Sequence, residues 1–197
     1  MPDFWIFYKV GLNHVLDLHG YDHLLFLTVL TAPYILKDWK RLLVLVSIFT
    51  LGHTISLFLS AFNIIKLQSD IVELLIPITI FITAFYNLIT AGKTSKKESV
   101  SFIGVVTLLF GIIHGLGFSN YFNSLLPGKP SEKLAPLLEF ALGIESAQII
   151  VVLAVFVLSF IVQTLFKFNR RDFILILSSF VIGVVVPLLI NNPIWGK

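Results

Sequence analysis

Long apolar runs separated by short polar links dominate this chain. Six runs, at roughly 21–36, 42–65, 71–91, 100–118, 136–165 and 173–190, approach or exceed the ~20 apolar residues that cross a ~30 Å hydrocarbon core. The links read KDWKR, KLQSD, AGKTSKKES, a Pro/Gly/Lys segment over 120–134, and KFNRRD. Residues 4–19 follow a different pattern: they are rich in aromatics and interrupted by Lys9, Gly11 and Asn13. Trp and Tyr favour the headgroup level, so this segment predicts an interfacial or re-entrant helix leading into the first span. Pro33 falls near the end of the first run, where a lost backbone hydrogen bond is tolerated. Pro77 falls inside the third and predicts a kink. The pattern as a whole predicts an all-α fold: a polytopic membrane helix bundle of about six transmembrane helices plus the N-terminal helix, in one integral membrane domain over 1–197. No repeat of the solenoid type is visible.

Composition agrees with the pattern. The chain is 57% hydrophobic and 13% charged, with a mean hydropathy of +0.95, against about 25% charged residues in soluble domains. Cysteine is absent, which excludes disulfides, thiolate metal ligands and a cysteine nucleophile. The formal charge of +3 is explained by residues flanking the spans, so the bilayer is the expected partner and no nucleic acid is expected. The links after spans one, three and five carry Lys37, Lys40, Arg41, Lys93, Lys96, Lys97, Lys167, Arg170 and Arg171. The other side carries Lys9, Lys66, Lys129, Lys133 and Lys197. That asymmetry predicts a multi-pass protein of the bacterial inner membrane with both termini extracytoplasmic. The first residues, MPDFWIFYKVGLNH, carry an acid and no basic n-region. They are read as part of the fold, not as a cleavable signal peptide.

Residues 11–27, GLNHVLDLHGYDHLLFL, hold the chemistry. His14, Asp17, His19, Asp22 and His23 stand immediately before an apolar run. Ionisable groups are costly in lipid, and at membrane depth they mark functional sites. Further along, His53 lies near mid-span, and His114, Glu73, Glu139 and Glu145 fall in the half of the bundle opposite the basic links. Lys and Arg are missing from these depths, which leaves the carboxylates without a cation from the protein. The expected metal ligands are His14, Asp17, Asp22, His23, His53, His114 and Glu145. Imidazole with carboxylate suits nickel, cobalt or zinc better than magnesium or calcium. His14 with Asp17, His19 with His23, and Glu145 with Gln148 each share a face if their segments are helical. Glycines beside His53 and around His114 allow close helix approach.

Plainer roles stay open for several of these residues. His19 can face water at the interface, and Asp17 can cap the first span. His53 can be an inter-helix hydrogen-bond donor, and the glycines can serve packing alone. Glu73 and Glu139 can be wetted at span ends. Asp22, His23, His114 and Glu145 are the hardest to place in such roles.

The stretches GLNHVLDLHGYDHLLFL, FTLGHTISL, FGIIHGLGF and FALGIESAQ together resemble the HupE/UreJ family of small bacterial membrane proteins. The resemblance runs from about residue 11 to residue 150. It implies a polytopic inner-membrane protein linked to nickel or cobalt uptake, in which a His…Asp-His motif handles the metal. That motif maps onto His14, Asp22 and His23. Two functions follow as expectations. One is a divalent transition-metal permease with several weak, exchangeable sites in series. The other is an intramembrane zinc-dependent hydrolase or transferase acting on a lipid or lipoprotein at the outer leaflet. There three ligands would hold zinc, and Asp22 or Glu145 would be the general base. A metal-binding accessory protein is a third, blander option. The sequence carries no signal for or against an oligomer.

Overall fold

The computed structural model describes residues 4–65, 68–92, 100–125 and 130–196. Among these there are seven α-helices and no strand: α1 (Phe4–Leu16), α2 (Asp22–Thr31), α3 (Trp39–Ala61), α4 (Ser69–Thr90), α5 (Val100–Leu125), α6 (Leu134–Thr164) and α7 (Arg170–Ile190). Helices α3 to α7 are long and apolar enough to cross a membrane. The chain is a helical membrane bundle, as its hydropathy pattern predicts. Helix α5 continues to Leu125, beyond the expected end near residue 118, and takes up part of the expected long loop. Lys93, Lys96 and Lys97 lie outside the described residues.

The first expected span is the exception. Helix α2 has ten residues, about 15 Å at 1.5 Å per residue, which is half a hydrocarbon core. The physical reason lies at Pro33. An α-helix passing through Pro33 would need an N–H from it to reach the carbonyl of Val29, and proline has none. The Asn87 side chain on α4 supplies the missing donor, Nδ2 to Val29 O at 2.7 Å. The same turn is tied to the start of α7, where Arg170 donates to the Pro33 carbonyl.

Two close helix pairs set the frame. In lipid there is little hydrophobic drive between helices, so small residues that admit a neighbouring backbone decide the packing. Gly11 of α1 lies against the Phe140 carbonyl of α6, and Gly143 of α6 lies against the Tyr8 carbonyl of α1. A side chain at either position would collide with backbone. Gly115 of α5 is seated in the same way on the backbone of His53 in α3. Helices α3 and α5 run parallel, since Gly111 meets Phe49 and Gly115 meets His53 and Ser56. Helix α1 runs antiparallel to α6: one turn beyond Gly11, His14 reaches the ring of Phe140, which precedes Gly143. Helices α1 and α2 thus form a re-entrant hairpin whose tip, residues 17–21, points away from the basic end marked by Lys37, Lys40, Arg41, Arg170 and Arg171. The start of α1 faces that basic end, whereas the end of α7 lies opposite.

Replacing Asn87 by Ala leaves the Val29 carbonyl buried without a donor. The expected cost is about 1–3 kcal/mol, read as a lower thermal midpoint of the purified protein in detergent.

Candidate metal centre

The hairpin tip and two long helices bring four imidazoles together. His14 comes from the last turn of α1, His23 from the first turn of α2, His53 from the middle of α3 and His114 from α5. His23, His53 and His114 are sealed, each at 0–1% exposure. One ligand atom from each of His14, His23 and His53 falls within 4.8 Å of the other two. The His114 ring stands 5.1 Å from that of His23. Aromatic rings enclose the group. Phe118 lies 3.9 Å from His14, Phe49 5.2 Å from His114, and Phe140 6.1 Å from His53.

These imidazoles are starved of partners. His14 Nε2, both nitrogens of His23, both of His53 and His114 Nε2 are buried without a hydrogen bond. A buried polar atom in that state costs free energy, and folded proteins rarely tolerate it. One tautomer is decided by the backbone. His114 Nδ1 lies 2.8 Å from the Phe110 carbonyl, which can only accept, so Nδ1 carries the hydrogen and Nε2 keeps its lone pair. Asp22 Oδ1 approaches His23 Nδ1 at 3.4 Å, too poorly aligned to count as a hydrogen bond. It is placed to orient that ring, as carboxylates do behind metal-bound histidines.

A cavity of about 210 Å³ opens beside the imidazoles, lined by His14, Asp17, Asp22, His23, Glu73 and His114 among others. A larger recess of about 400 Å³ between α2, α4 and the end of α7 shares Asp22 and Glu73 with it. The imidazoles therefore sit at the foot of a vestibule carrying three carboxylates, Asp17, Asp22 and Glu73, on the side away from the basic end.

Two of the seven expected ligands stand outside the group of imidazoles, Asp17 at the mouth of the cavity and Glu145 in a different part of the bundle. Asp17 is half exposed on the hairpin tip. Its Oδ1 accepts the backbone N–H of His19 at 2.9 Å, and that bond, first among several, holds its carboxyl below the usual carboxylate range. Residues 17–21 are not helical, so His19 and His23 share no helix face, and the His19 side chain is 99% exposed. Glu145 points into a separate polar group. Its Oε1 accepts from Ser47 Oγ at 2.6 Å and its Oε2 from Thr50 Oγ1. Ser47 and Thr50 escaped the reading of the sequence, although Ser47, Thr50 and His53 recur every three residues and so share one side of a helix. Glu139 is partly buried and its Oε2 is sealed without a partner, whereas Glu73 is exposed.

A family model described as HupE / UreJ protein matches residues 1–191. The chain belongs to the HupE/UreJ family. That family is associated with nickel and cobalt transport, and the histidine cluster of this member is a possible metal site. No curated protein and no solved structure matches the chain.

The unpaired nitrogens give a prediction for this HupE/UreJ protein. When a buried polar group lacks partners, an apolar residue of similar size is neutral or stabilising. His53→Leu should leave the thermal midpoint of the chelator-stripped protein unchanged or raise it, and should abolish any rise produced by added Co²⁺.

Proposed function

We propose that this chain is a permease for a divalent transition-metal cation of the nickel/cobalt type in the bacterial inner membrane. The observation that carries this reading is the convergence of unpaired imidazole nitrogens at membrane depth, at the foot of an acid-bearing vestibule. Neutral imidazole is a ligand for nickel, cobalt and zinc, and binding would satisfy the nitrogens that folding leaves bare. His14, His23 and His53 are the proposed ligands. His114 stands beside them with its lone pair free, and Asp22 is the orienting carboxylate. Asp17 and Glu145 are not ligands of this cluster. The positive-inside bias puts the basic end in the cytoplasm, so the vestibule opens outward. Asp22 and Glu73 would draw the cation from outside towards the imidazoles.

A three-histidine set opening onto a carboxylate also suits a zinc hydrolase or transferase working at the outer leaflet, with the cavity beside Asp22 holding water or substrate. Uptake separates the two readings. In proteoliposomes loaded from outside, the wild type should accumulate radioactive nickel or cobalt. His23→Ala and His114→Ala should lower both binding and uptake by about tenfold or more, and His19→Ala should behave as wild type. Binding should weaken on acidification, because a protonated imidazole has no lone pair to offer. A tightly held stoichiometric zinc, with no uptake of any divalent cation, would transfer the case to the enzyme.

A further inference from the structure

The polar group around Glu145 lies apart from the imidazoles and has a different chemistry. Every donor in it is oxygen: the Glu145 carboxylate, Ser47 Oγ, Thr50 Oγ1 and the Gln148 amide oxygen. It is displaced towards the basic end. Thr50 precedes His53 by three residues and Ser47 precedes Thr50 by three, steps of about 4.5 Å along α3.

The hydrogen-bond partners of the Glu145 carboxylate are two neutral hydroxyls, Ser47 Oγ and Thr50 Oγ1. Thr50 Oγ1 has one hydrogen and three acceptors around it: the Val46 carbonyl at 3.3 Å, Gln148 Oε1 at 2.9 Å and Glu145 Oε2. Only one can receive it. Gln148 is wholly buried and its amide nitrogen has no partner. Gln148 Oε1 meets the same Thr50 hydroxyl that Glu145 meets, so carboxylate, hydroxyl and amide oxygens converge at membrane depth, where an ionisable group marks a functional site.

We infer that Glu145, Ser47, Thr50 and Gln148 form a second, all-oxygen station that takes the divalent cation from the imidazoles on its way to the basic end. The inference rests on the transport reading above and adds the inward step that the histidines do not supply. Oxygen ligands hold nickel, cobalt and zinc less firmly than imidazole does. A carrier needs that descent, because a cation bound too tightly is never released. The cation would displace the hydroxyl hydrogens from the carboxylate and use the freed lone pairs, with the Gln148 oxygen as a further ligand.

The test compares wild type, Glu145→Gln, Thr50→Val and Thr50→Ser in three measurements. These are Co²⁺ binding by its visible absorption in detergent, net uptake of radioactive cobalt into proteoliposomes, and cobalt-for-cobalt exchange at equal concentrations across the membrane. The expected result is that Glu145→Gln and Thr50→Val keep the imidazole cobalt spectrum, which also shows that they fold. Both should lose net uptake and exchange by about tenfold or more, while Thr50→Ser retains them. Uptake by Glu145→Gln within about twofold of wild type would overturn the station, as would loss of the cobalt spectrum, which would make Glu145 part of the first site. Exchange that survives while net uptake fails would also overturn it, since Glu145 would then carry a proton and not the metal. A wild type that binds cobalt and moves none removes the transport reading itself, and the station with it.

Discussion

In hydrocarbon a polar group can bond only to protein, and the rest of this bundle follows from that constraint. Where the backbone is broken, a side chain repairs it: Asn87 reaches the Val29 carbonyl that Pro33 leaves without a donor. Hydroxyls along the helices fold back onto carbonyls of the preceding turn, as Thr54 does to Thr50 and Thr83 to Thr79. Among the described residues the constraint is left unmet most densely at the imidazoles of His14, His23, His53 and His114, which account for six such atoms. Such a concentration is costly to folding, and costly arrangements of this kind are expected at functional sites.

The placement of that site depends on close backbone approach. His53 and His114 both reach the His23 ring, and Gly115 lets α5 settle onto the backbone of α3 at His53 itself. His14 joins them because Gly11 and Gly143 let α1 lie flush along α6. The short α2 then brings His23 down from the hairpin tip into the same space. A re-entrant hairpin is tolerable at this depth because it is packed against protein and lines a cavity. The break between α1 and α2 also frees the first turn of α2, whose N-terminus favours the nearby Asp22 carboxylate.

Two kinds of donor atom are thus stacked along α3. Nitrogen donors lie on the vestibule side and oxygen donors lie one to two turns nearer the basic end. Imidazole selects among divalent cations, while carboxylate, hydroxyl and amide oxygen hold them loosely. The order from strong to weak is the order a cation would need when drawn in from outside and released within.

Much of this was legible in the residues. Apolar runs of spanning length and the absence of basic residues from their centres determined a helical membrane bundle. The ionisable groups of 11–27, with His53 and His114, marked where a site was to be sought, because ionisable groups are costly in lipid. The tertiary structure alone decided which of them meet. His19 and Asp17 were separated from the cluster because the chain between α1 and α2 is not helical, so spacing arguments that assume 3.6 residues per turn fail there. Glu145 was assigned to Ser47 and Thr50 because the rotation of α6 against α3 is set by packing, which hydropathy does not encode. The length of α2 and the direction of α1 were likewise tertiary outcomes. One proline and one distant asparagine stop a run that reads as a full span, and only the folded chain brings that pair together.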